Sequence, residues 1–383
     1  MNHDEYMKKL EDPGNRNIVL LITESCNLNC KYCYESYKST KKMSVSTCKE
    51  ILTREFIASA ADGVTTKLSI TFLGGEPLLN FSLIKEISEW LWNQNQLLPY
   101  TLDLRTNGTL LTKEMKQWFL ENKHRIDLSL SLDGLNETQK INRTDKYIDY
   151  KFFTDNWPHR KVKIVLFKDS LDLFADTVIE MLQNNIAIEV DVGCGFEWNT
   201  SDAIIFEEQL NRLLPLYEDD ICGGRETGLF PFSVENFFKI DFFHYTFCLK
   251  YSNKVSYTSE GKRYGCHMFT PLVIGAKKAE WICSHSKEID QLPVDKRCIA
   301  CPLFDSCKSC AALNLKVTGD VTLHAPLYTN CKMMKVQARA CAMLFLRHIQ
   351  KNIQKNIKLS EFIQICAEKS IRLLRTIPEA KYL

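Results

Sequence analysis

Three closely spaced cysteines near the N-terminus are the residues of this chain that most clearly indicate chemical function. Cys26, Cys30 and Cys33 form a CxxxCxxC pattern. Three thiolates can hold three irons of a 4Fe–4S cluster and leave the fourth iron open to a chelating small molecule. A structural zinc site is the alternative, but it needs four ligands. No further Cys or His occurs within the next fourteen residues, so the pattern favours an open cluster.

Three further motifs follow in order, and each comes directly after a predicted apolar strand. Apolar runs predict strands at residues 18–23, 68–73, 101–105 and 126–131, and the first of them leads into the cysteines. In the first motif two glycines permit close backbone approach, and a glutamate can accept from an ammonium group. Arg143, nine residues beyond the last motif, has a planar fork that suits a carboxylate. The motifs are Gly74-Gly75-Glu76-Pro77, Thr106-Asn107-Gly108 and Ser131-Leu132-Asp133-Gly134.

Together these motifs resemble the signature of the radical S-adenosylmethionine (SAM) enzymes. The resemblance implies a 4Fe–4S cluster on the three cysteines, with SAM bound to its open iron through the amine and carboxylate. It also implies a 5′-deoxyadenosyl radical that abstracts hydrogen from an unactivated carbon. In that family the glycine-rich segment holds the amine of SAM, the arginine pairs with its carboxylate, and the residue before the third cysteine packs on adenine. The cofactor-binding residues implied here are Tyr32, Gly74, Gly75, Glu76, Asn107, Ser131, Asp133 and Arg143.

The first half of the chain predicts an α/β fold. Two more apolar strands are expected at residues 162–167 and 186–190, and helices at residues 48–60, 82–94, 113–122 and 172–184. Six strands alternating with helices imply a parallel sheet with right-handed crossovers. The resemblance implies a partial (β/α)6 barrel of the TIM type, whose functional loops gather at the C-terminal ends of the strands.

A second group of cysteines lies in the C-terminal half, which we call the C-terminal cysteine region (residues 242–335). Its spacing resembles the SPASM domain, which binds auxiliary iron–sulfur clusters, although only Lys308 and Ser309 separate two cysteines where the family has three residues. A zinc ribbon is the alternative. The resemblance assigns one auxiliary 4Fe–4S cluster to Cys298, Cys301, Cys307 and Cys331, and the other to Cys248, Cys266 and Cys310. Cys222 or Cys283 would complete the second cluster, unless one of its irons stays open to a substrate thiolate.

Composition agrees with a large cytoplasmic enzyme. The chain has 383 residues, 45% hydrophobic residues and a net charge of +2, which predicts no general attraction to nucleic acid or membranes. Residues 1–17 hold no apolar run of a signal peptide, and sixteen cysteines without one point to metal or redox chemistry. We expect a barrel at residues 1–198, a bridging region at 199–241, the SPASM-like domain at 242–335 and helices at 336–383. Cys48, Cys341 and Cys366 lie on helical patterns and are expected in the core.

The resemblance implies a peptide maturase that makes a thioether or carbon–carbon crosslink in a ribosomally synthesised precursor peptide. Its implied partners are that peptide and an electron donor of the flavodoxin or ferredoxin type. The alternatives are an anaerobic sulfatase-maturing enzyme that forms formylglycine, and a non-catalytic iron–sulfur or zinc binding protein. His267 stands where sulfatase-maturing relatives carry an aspartate base, which weakens the first alternative. Cys194, after the sixth predicted strand, is a candidate hydrogen donor or substrate contact, but a small apolar filler is favoured.

Overall fold

The computed structural model describes residues 14–217, 253–285, 296–303, 310–319, 330–355 and 361–382. All six predicted strands are present, and the last of them begins two residues later than expected. The first four are neighbours in one parallel sheet, and the last two form a parallel pair. A parallel bridge between Ser131 and Lys163 joins the two groups. The strands are β1 (Asn15–Thr23), β2 (Lys67–Gly74), β3 (Tyr100–Thr106), β4 (Ile126–Leu130), β5 (Val162–Leu166) and β6 (Ile188–Val192).

Helices connect these strands as the βα pattern predicts. The four predicted helices are confirmed, and two short unpredicted helices lie between β4 and β5. Short 3₁₀ segments at residues 77–80 and 168–173 precede the second and sixth helices. The α/β fold class is therefore confirmed. The helices are α1 (Val45–Ala61), α2 (Phe81–Trp92), α3 (Lys113–Glu121), α4 (Glu137–Asn142), α5 (Tyr150–Asn156) and α6 (Phe174–Gln183).

The start and the buried face of α1 follow from its sequence. The Ser44 hydroxyl accepts from the amide of Thr47 at 3.1 Å and so caps the helix. Cys48, Leu52 and Phe56 recur at four-residue spacing, and all three are buried against the sheet. The prediction that Cys48 is a core residue is confirmed.

The two faces of the sheet differ in polarity. Leu68, Ile70 and Phe72 of β2 are fully buried on the face that packs against the helices, which we call the outer face. Alternate residues on β2 and its neighbours therefore lie on the opposite face, which we call the inner face. The Thr71 hydroxyl donates to Asp103 at 2.6 Å across it. The inner-face residues are mostly polar: Asn17, Ser69, Thr71, Asp103, Arg105, Asp127, Ser129, Lys163 and Glu189.

A hairpin from the C-terminal half adds to the edge of this sheet, which the sequence did not predict. Its first strand, β7 (Lys254–Tyr257), pairs in parallel with β1, and its second strand, β8 (Arg263–Tyr264), is antiparallel to β7. The Tyr257 hydroxyl donates to Glu55 of α1 on the outer face. The C-terminal cysteine region is therefore joined to the barrel by main-chain pairing.

The remaining helices extend the barrel core and contribute to a second, smaller core. A long antiparallel pair in the C-terminal segment extends the barrel core, and Cys341 and Cys366 are buried there as predicted. The boundary proposed at residue 335 lies within the first helix of this pair. Among the described helices, none is long and apolar enough to cross a membrane. The helices are α7 (Thr200–Tyr217), α8 (Pro271–Ile274), α9 (Ala276–Ser284), α10 (Lys296–Ile299), α11 (Ala311–Thr318), α12 (Cys331–Gln354) and α13 (Glu361–Thr376), with 3₁₀ turns at residues 267–269 and 380–382.

Candidate functional site

Cys26, Cys30 and Cys33 lie on one partly exposed loop between β1 and α1, which we call the cysteine loop (residues 24–44). Burial raises the pKa of Cys26, although the amide of Leu28 opposes it, and burial raises the pKa of Cys30 to about 11. Thiols in this environment need a compensating cation to ionise. Within the described ranges, no three His, Cys, Asp or Glu side chains converge as they would on a single metal ion.

The paired glycines fit against this loop. A Cβ on Gly75 would lie 2.2 Å from the carbonyl oxygen of Ser25, and one on Gly74 would lie 2.2 Å from that of Thr23. No other residue avoids these clashes. The amide of Glu76 donates to the carbonyl of Ser25 at 2.8 Å and completes the contact. The close backbone approach expected at this motif is therefore an approach to the cysteine loop itself.

Glu76 joins the glycine-rich turn to the turn after β3. Its buried carboxylate accepts from the Thr106 hydroxyl at 2.6 Å, from the amide of Asn107 at 2.8 Å and from the amide of Leu78 at 3.1 Å. Burial raises the pKa of Glu76, and these three donors oppose the rise. A carboxylate has about four acceptor positions, so one position is left for a further donor.

Asn107 ties the second turn back to the cysteine loop. Its side-chain amide donates to Asn27 at 3.0 Å, and the Asn27 amide donates to the Thr109 hydroxyl at 2.7 Å. Gly108 has φ +77°, a left-handed conformation that favours glycine. Asn27 was not predicted as a site residue, although a hydrogen-bonding residue between two motif cysteines was a usable signal.

Arg143, Asp133 and Tyr32 form a buried group beside Cys30. Asp133 is fully buried and accepts from the Tyr32 hydroxyl at 2.6 Å and from the amide of Val165 at 3.0 Å. The Nε atom of Arg143 lies 3.2 Å from the carboxylate of Asp133, and its guanidinium lies 5.4 Å from the centre of the Tyr32 ring. Burial lowers the pKa of Arg143, but Asp133, Tyr32 and Cys30 outweigh it and raise the pKa overall. The guanidinium is therefore charged.

Three buried donors beside this group lack hydrogen-bond partners among the described residues. They are the Nε2 atom of Gln139, the Nδ2 atom of Asn142 and the Nε atom of Arg143, whose contact with Asp133 lacks hydrogen-bond alignment. A buried donor left without a partner costs about 1–3 kcal/mol. A carboxylate is an acceptor that several such donors can share. The donor set thus fits the carboxylate of SAM.

The C-terminal cysteine region contacts the cysteine loop directly. Tyr34, Cys266 and Cys310 all pack against a second core, which includes the buried side chains of Phe269 and Ala312. The Lys316 ammonium donates to the carbonyl of Tyr34 at 2.6 Å and to the Ser36 hydroxyl at 2.8 Å. Neither Tyr34 nor Lys316 was predicted from the sequence as a site residue. Their contacts bring two of the predicted auxiliary ligands close to the three motif cysteines.

The other predicted auxiliary ligands are less closely defined. Cys298 and Cys301 are partly buried and adjacent, with the amide of Cys301 donating to the carbonyl of Cys298 at 2.9 Å, and Cys331 is the exposed first residue of α12. Cys283 is exposed on α9 beside the Tyr264 hydroxyl. Cys222, Cys248 and Cys307 lie outside the described residues.

Three further predicted residues lie near the same edge of the sheet. The amide of Ser131 donates to the carbonyl of Thr106 at 2.9 Å. Burial raises the pKa of Cys194 to about 11, and Lys316 opposes the rise. Burial, followed by Lys254 and Arg105, lowers the pKa of His267 to about 3, so this imidazole is neutral.

Residues 20–165 match the profile of the Radical SAM superfamily. This part of the chain is a radical SAM domain, as its motifs predicted. The chain is 26% identical over 234 residues to the radical SAM cyclopropyl synthase TigE of Paramaledivibacter caminithermalis, and the match covers 54% of this chain and 47% of that protein. It is 29% identical over 281 residues to the GTP 3′,8-cyclase of Staphylococcus epidermidis, covering 66% of this chain and 78% of the cyclase. The match to TigE thus spans about half of the synthase.

Solved structures share the fold across most of the chain. A structure of anSMEcpe with bound AdoMet and the Cp18Cys peptide superposes with a TM-score of 0.60 at 18% identity, covering 90% of this chain and 100% of that one. Streptococcus suis SuiB bound to the precursor peptide SuiA gives a TM-score of 0.51 at 17% identity, covering 85% and 79%. The radical SAM core and its C-terminal extension therefore form one shared architecture.

Proposed function

We propose that this protein is a radical SAM peptide maturase that installs a thioether or carbon–carbon crosslink in a ribosomally synthesised peptide. The observation that carries the proposal is the contact between the two cysteine-bearing regions. Tyr34 directly follows Cys33 and packs against the same second core as Cys266 and Cys310. An auxiliary cluster there would be a short distance from the reactive site and could accept the electron left when a substrate radical forms a bond.

Within this proposal, residues of the barrel hold and orient the cofactors. Cys26, Cys30 and Cys33 would ligate a 4Fe–4S cluster. Together with SAM, that cluster supplies a 5′-deoxyadenosyl radical able to remove hydrogen from carbon. The unpartnered donors of residues 139–143 would donate to the SAM carboxylate, and the remaining acceptor position of Glu76 would accept a hydrogen bond from the SAM amine. Asn107, Ser131, Gly74 and Gly75 would complete the site, with Tyr32 and Asp133 fixing Arg143.

The C-terminal cysteine region would hold two auxiliary 4Fe–4S clusters. We propose the ligand sets that the resemblance to the SPASM domain implies, with Cys222 or Cys283 as the candidate fourth ligand of the second cluster. A reduced flavodoxin or ferredoxin in the cytoplasm would supply electrons, and the precursor peptide would be the substrate partner. The barrel, bridging, auxiliary and helical units would be residues 1–198, 199–241, 242–335 and 336–383. The ligands of the first auxiliary cluster would be Cys298, Cys301, Cys307 and Cys331, and those of the second auxiliary cluster would be Cys248, Cys266 and Cys310.

A sulfatase-maturing enzyme is the second candidate, supported by the fold shared with anSMEcpe. Two sequence features oppose it. His267 follows Cys266 where sulfatase-maturing relatives carry an aspartate, and residues 242–247 lack the additional cysteine that such relatives carry shortly before the position of Cys248. A non-catalytic binding protein is opposed by the complete motif set, from Cys26 to Arg143.

The test is anaerobic co-expression with a candidate precursor peptide encoded beside the gene, followed by tandem mass spectrometry. A crosslink removes about 2 Da per link, whereas formylglycine made from cysteine removes about 18 Da, as atom counting on these oxidations requires. A ring also suppresses backbone fragments between the joined residues. A modified peptide that fragments freely throughout would contradict the proposal. The Cys26/Cys30/Cys33→Ala variant, which cannot hold the reactive cluster, is the control and should leave the peptide unmodified.

A further inference from the structure

The cysteine loop is closed at its base by a short antiparallel ladder between residues 22–24 and 41–43, which we call the neck. Two main-chain hydrogen bonds of 2.9 Å form the neck, one donated from each segment, and Thr23 and Lys42 form an antiparallel bridge between them. The three motif cysteines all lie between these two segments, so the neck fixes both ends of the loop that carries them. So short a ladder is only marginally stable by itself, and side chains must hold it.

Glu24 is the side chain that holds the neck. One oxygen of its carboxylate accepts from the Ser39 hydroxyl at 2.6 Å, and the Ser25 hydroxyl donates to the carbonyl of Ser39 at 2.8 Å. The other carboxylate oxygen accepts from the hydroxyl of Ser259, in the turn after β7, at 2.7 Å. One half-buried carboxylate therefore joins the start of the loop, its end and the C-terminal cysteine region.

The residue after Glu24 is the part of the loop that contacts the glycine-rich turn. The carbonyl of Ser25 accepts from the amide of Glu76 at 2.8 Å, and a Cβ on Gly75 would lie 2.2 Å from that carbonyl oxygen. Ser25 also directly precedes Cys26. Because the two segments touch so closely, a shift of the neck would displace Cys26 relative to the turn that carries Glu76.

We propose that Glu24 is a positioning residue that holds the neck in the arrangement that binds SAM, with Ser259 as its anchor in the C-terminal cysteine region. The inference rests on the proposed roles of Cys26 and Glu76, but not on which bond the enzyme makes in its substrate. Without the carboxylate, the loop would populate further arrangements, and SAM would bind only to the correctly ordered fraction. The apparent affinity falls by that fraction, while the complex, once formed, is unchanged.

Glutamine at this position separates the role of the hydrogen bonds from that of the charge. A serine hydroxyl can donate and accept, so the glutamine amide can accept from Ser39 and donate to Ser259. Glu24→Gln should therefore keep the neck ordered although it removes the charge. Glu24→Ala loses both hydrogen bonds, and Ser259→Ala loses only the bond to the C-terminal cysteine region.

The experiment measures SAM binding, so it does not depend on turnover. Labelled SAM is equilibrated by dialysis with oxidised protein that has been reconstituted anaerobically. Glu24→Ala should raise the dissociation constant by about tenfold or more, with an unchanged amount of SAM bound at saturation. Glu24→Gln should stay within about twofold of wild type. Ser259→Ala should raise the constant by a smaller factor and should add nothing to Glu24→Ala, because both changes remove the same hydrogen bond.

The apo protein provides a second readout that needs no cofactor. In Glu24→Ala, the amides of Glu24 and Met43, which form the two hydrogen bonds of the neck, should exchange with deuterium about tenfold faster or more. Asp62→Ala is the matched control. Asp62 also accepts from a side-chain hydroxyl, that of Thr65 at 2.6 Å, but it lies between α1 and β2, at the opposite end of the sheet. Its SAM affinity and its exchange at the neck should equal those of wild type.

Circular dichroism and iron content verify that each variant is folded and loaded. If Glu24→Ala does not retain the cluster, Ser259→Ala carries the binding test, because it leaves Ser39 bonded to Glu24. Unchanged SAM affinity in the loaded Glu24→Ala or Ser259→Ala variants would overturn the role assigned to that residue. An equal loss in Glu24→Gln and Glu24→Ala would show that the charge acts and not the positioning. If wild-type protein binds no SAM, the proposed function itself is wrong.

Discussion

Replacing Lys316 with methionine should loosen the cysteine loop from the C-terminal cysteine region. The side chain of Lys316 extends from α11 to the loop and donates to the carbonyl of Tyr34 at 2.6 Å and to the Ser36 hydroxyl at 2.8 Å. Close by, the amide of Tyr37 donates to the carbonyl of Leu272 at 3.0 Å. That amide connects the same two regions, so its exchange with solvent reports their separation.

The size of the effect follows from the two hydrogen bonds of the ammonium group. A hydrogen bond made by a charged group contributes about 1.5–3 kcal/mol when it is well buried. Lys316 is only half-buried, so water replaces part of what is lost, and about 1.5–3 kcal/mol is a reasonable total for both bonds. If the opening free energy falls by that amount, amides protected by the contact should exchange about 10- to 150-fold faster.

Hydrogen–deuterium exchange of the segment 34–40, read by mass spectrometry on the apo protein, is the assay. Lys278→Met is the matched control, because Lys278 donates to the carbonyls of Leu315 at 2.8 Å and Lys316 at 3.3 Å and so contacts the same helix without touching the loop. Its exchange in the 34–40 segment should match that of wild type. If Lys316→Met changes exchange there less than twofold, or if the control changes it equally, the contact does not hold the loop.

Three further predictions concern the cofactors. Because each cluster holds four irons, anaerobically reconstituted wild-type protein should contain about 12 irons and the Cys26/Cys30/Cys33→Ala variant about 8. A content of about four irons in the wild-type protein, or stoichiometric zinc, would contradict this prediction. The same variant should keep its fold but release no 5′-deoxyadenosine from SAM under dithionite, because its auxiliary ligands lie elsewhere; undiminished release would rule out these ligands. Arg143→Ala should weaken SAM binding by about 1.5–3 kcal/mol, and more than Arg143→Lys, because lysine restores the charge but not the planar fork. The control variant Arg125→Ala should leave the SAM affinity unchanged. Equal SAM affinity in all of these variants would show that Arg143 is not part of the SAM site.

The sequence alone was sufficient to predict the strands whose alternation of apolar and polar residues shows which face is buried. Alternation in β2, where Leu68, Ile70 and Phe72 are buried, follows directly from local composition. The error at β6 also has a local cause. Ile186 is apolar and buried, but its amide donates to the carbonyl of Met181, and Asn185 has φ +56°, so these residues complete the turn after α6. An apolar run shows that residues are buried without showing where strand pairing begins.

The contacts within the site that join distant parts of the chain could not be predicted from the sequence. The sequence predicted that Gly74 and Gly75 allow a close backbone approach, but only the fold shows that the approaching segment is the cysteine loop. Lys316 and Tyr34 are 282 positions apart, and neither belongs to a motif. Such properties depend on which charges the tertiary structure brings together.

The direction of one strand pairing explains why the two cysteine-bearing regions meet. Because β7 runs parallel to β1, the turn after β7 lies at the same end of the sheet as the start of the cysteine loop. The Ser259 hydroxyl in that turn donates to Glu24 at 2.7 Å, and Glu260 lies 2.8 Å from Lys41 at the far side of the loop. An antiparallel pairing would have sent the turn to the opposite end. The parallel pairing of β7 with β1 therefore fixes the orientation of Cys266 relative to the motif cysteines, and any electron transfer between clusters at these positions depends on it.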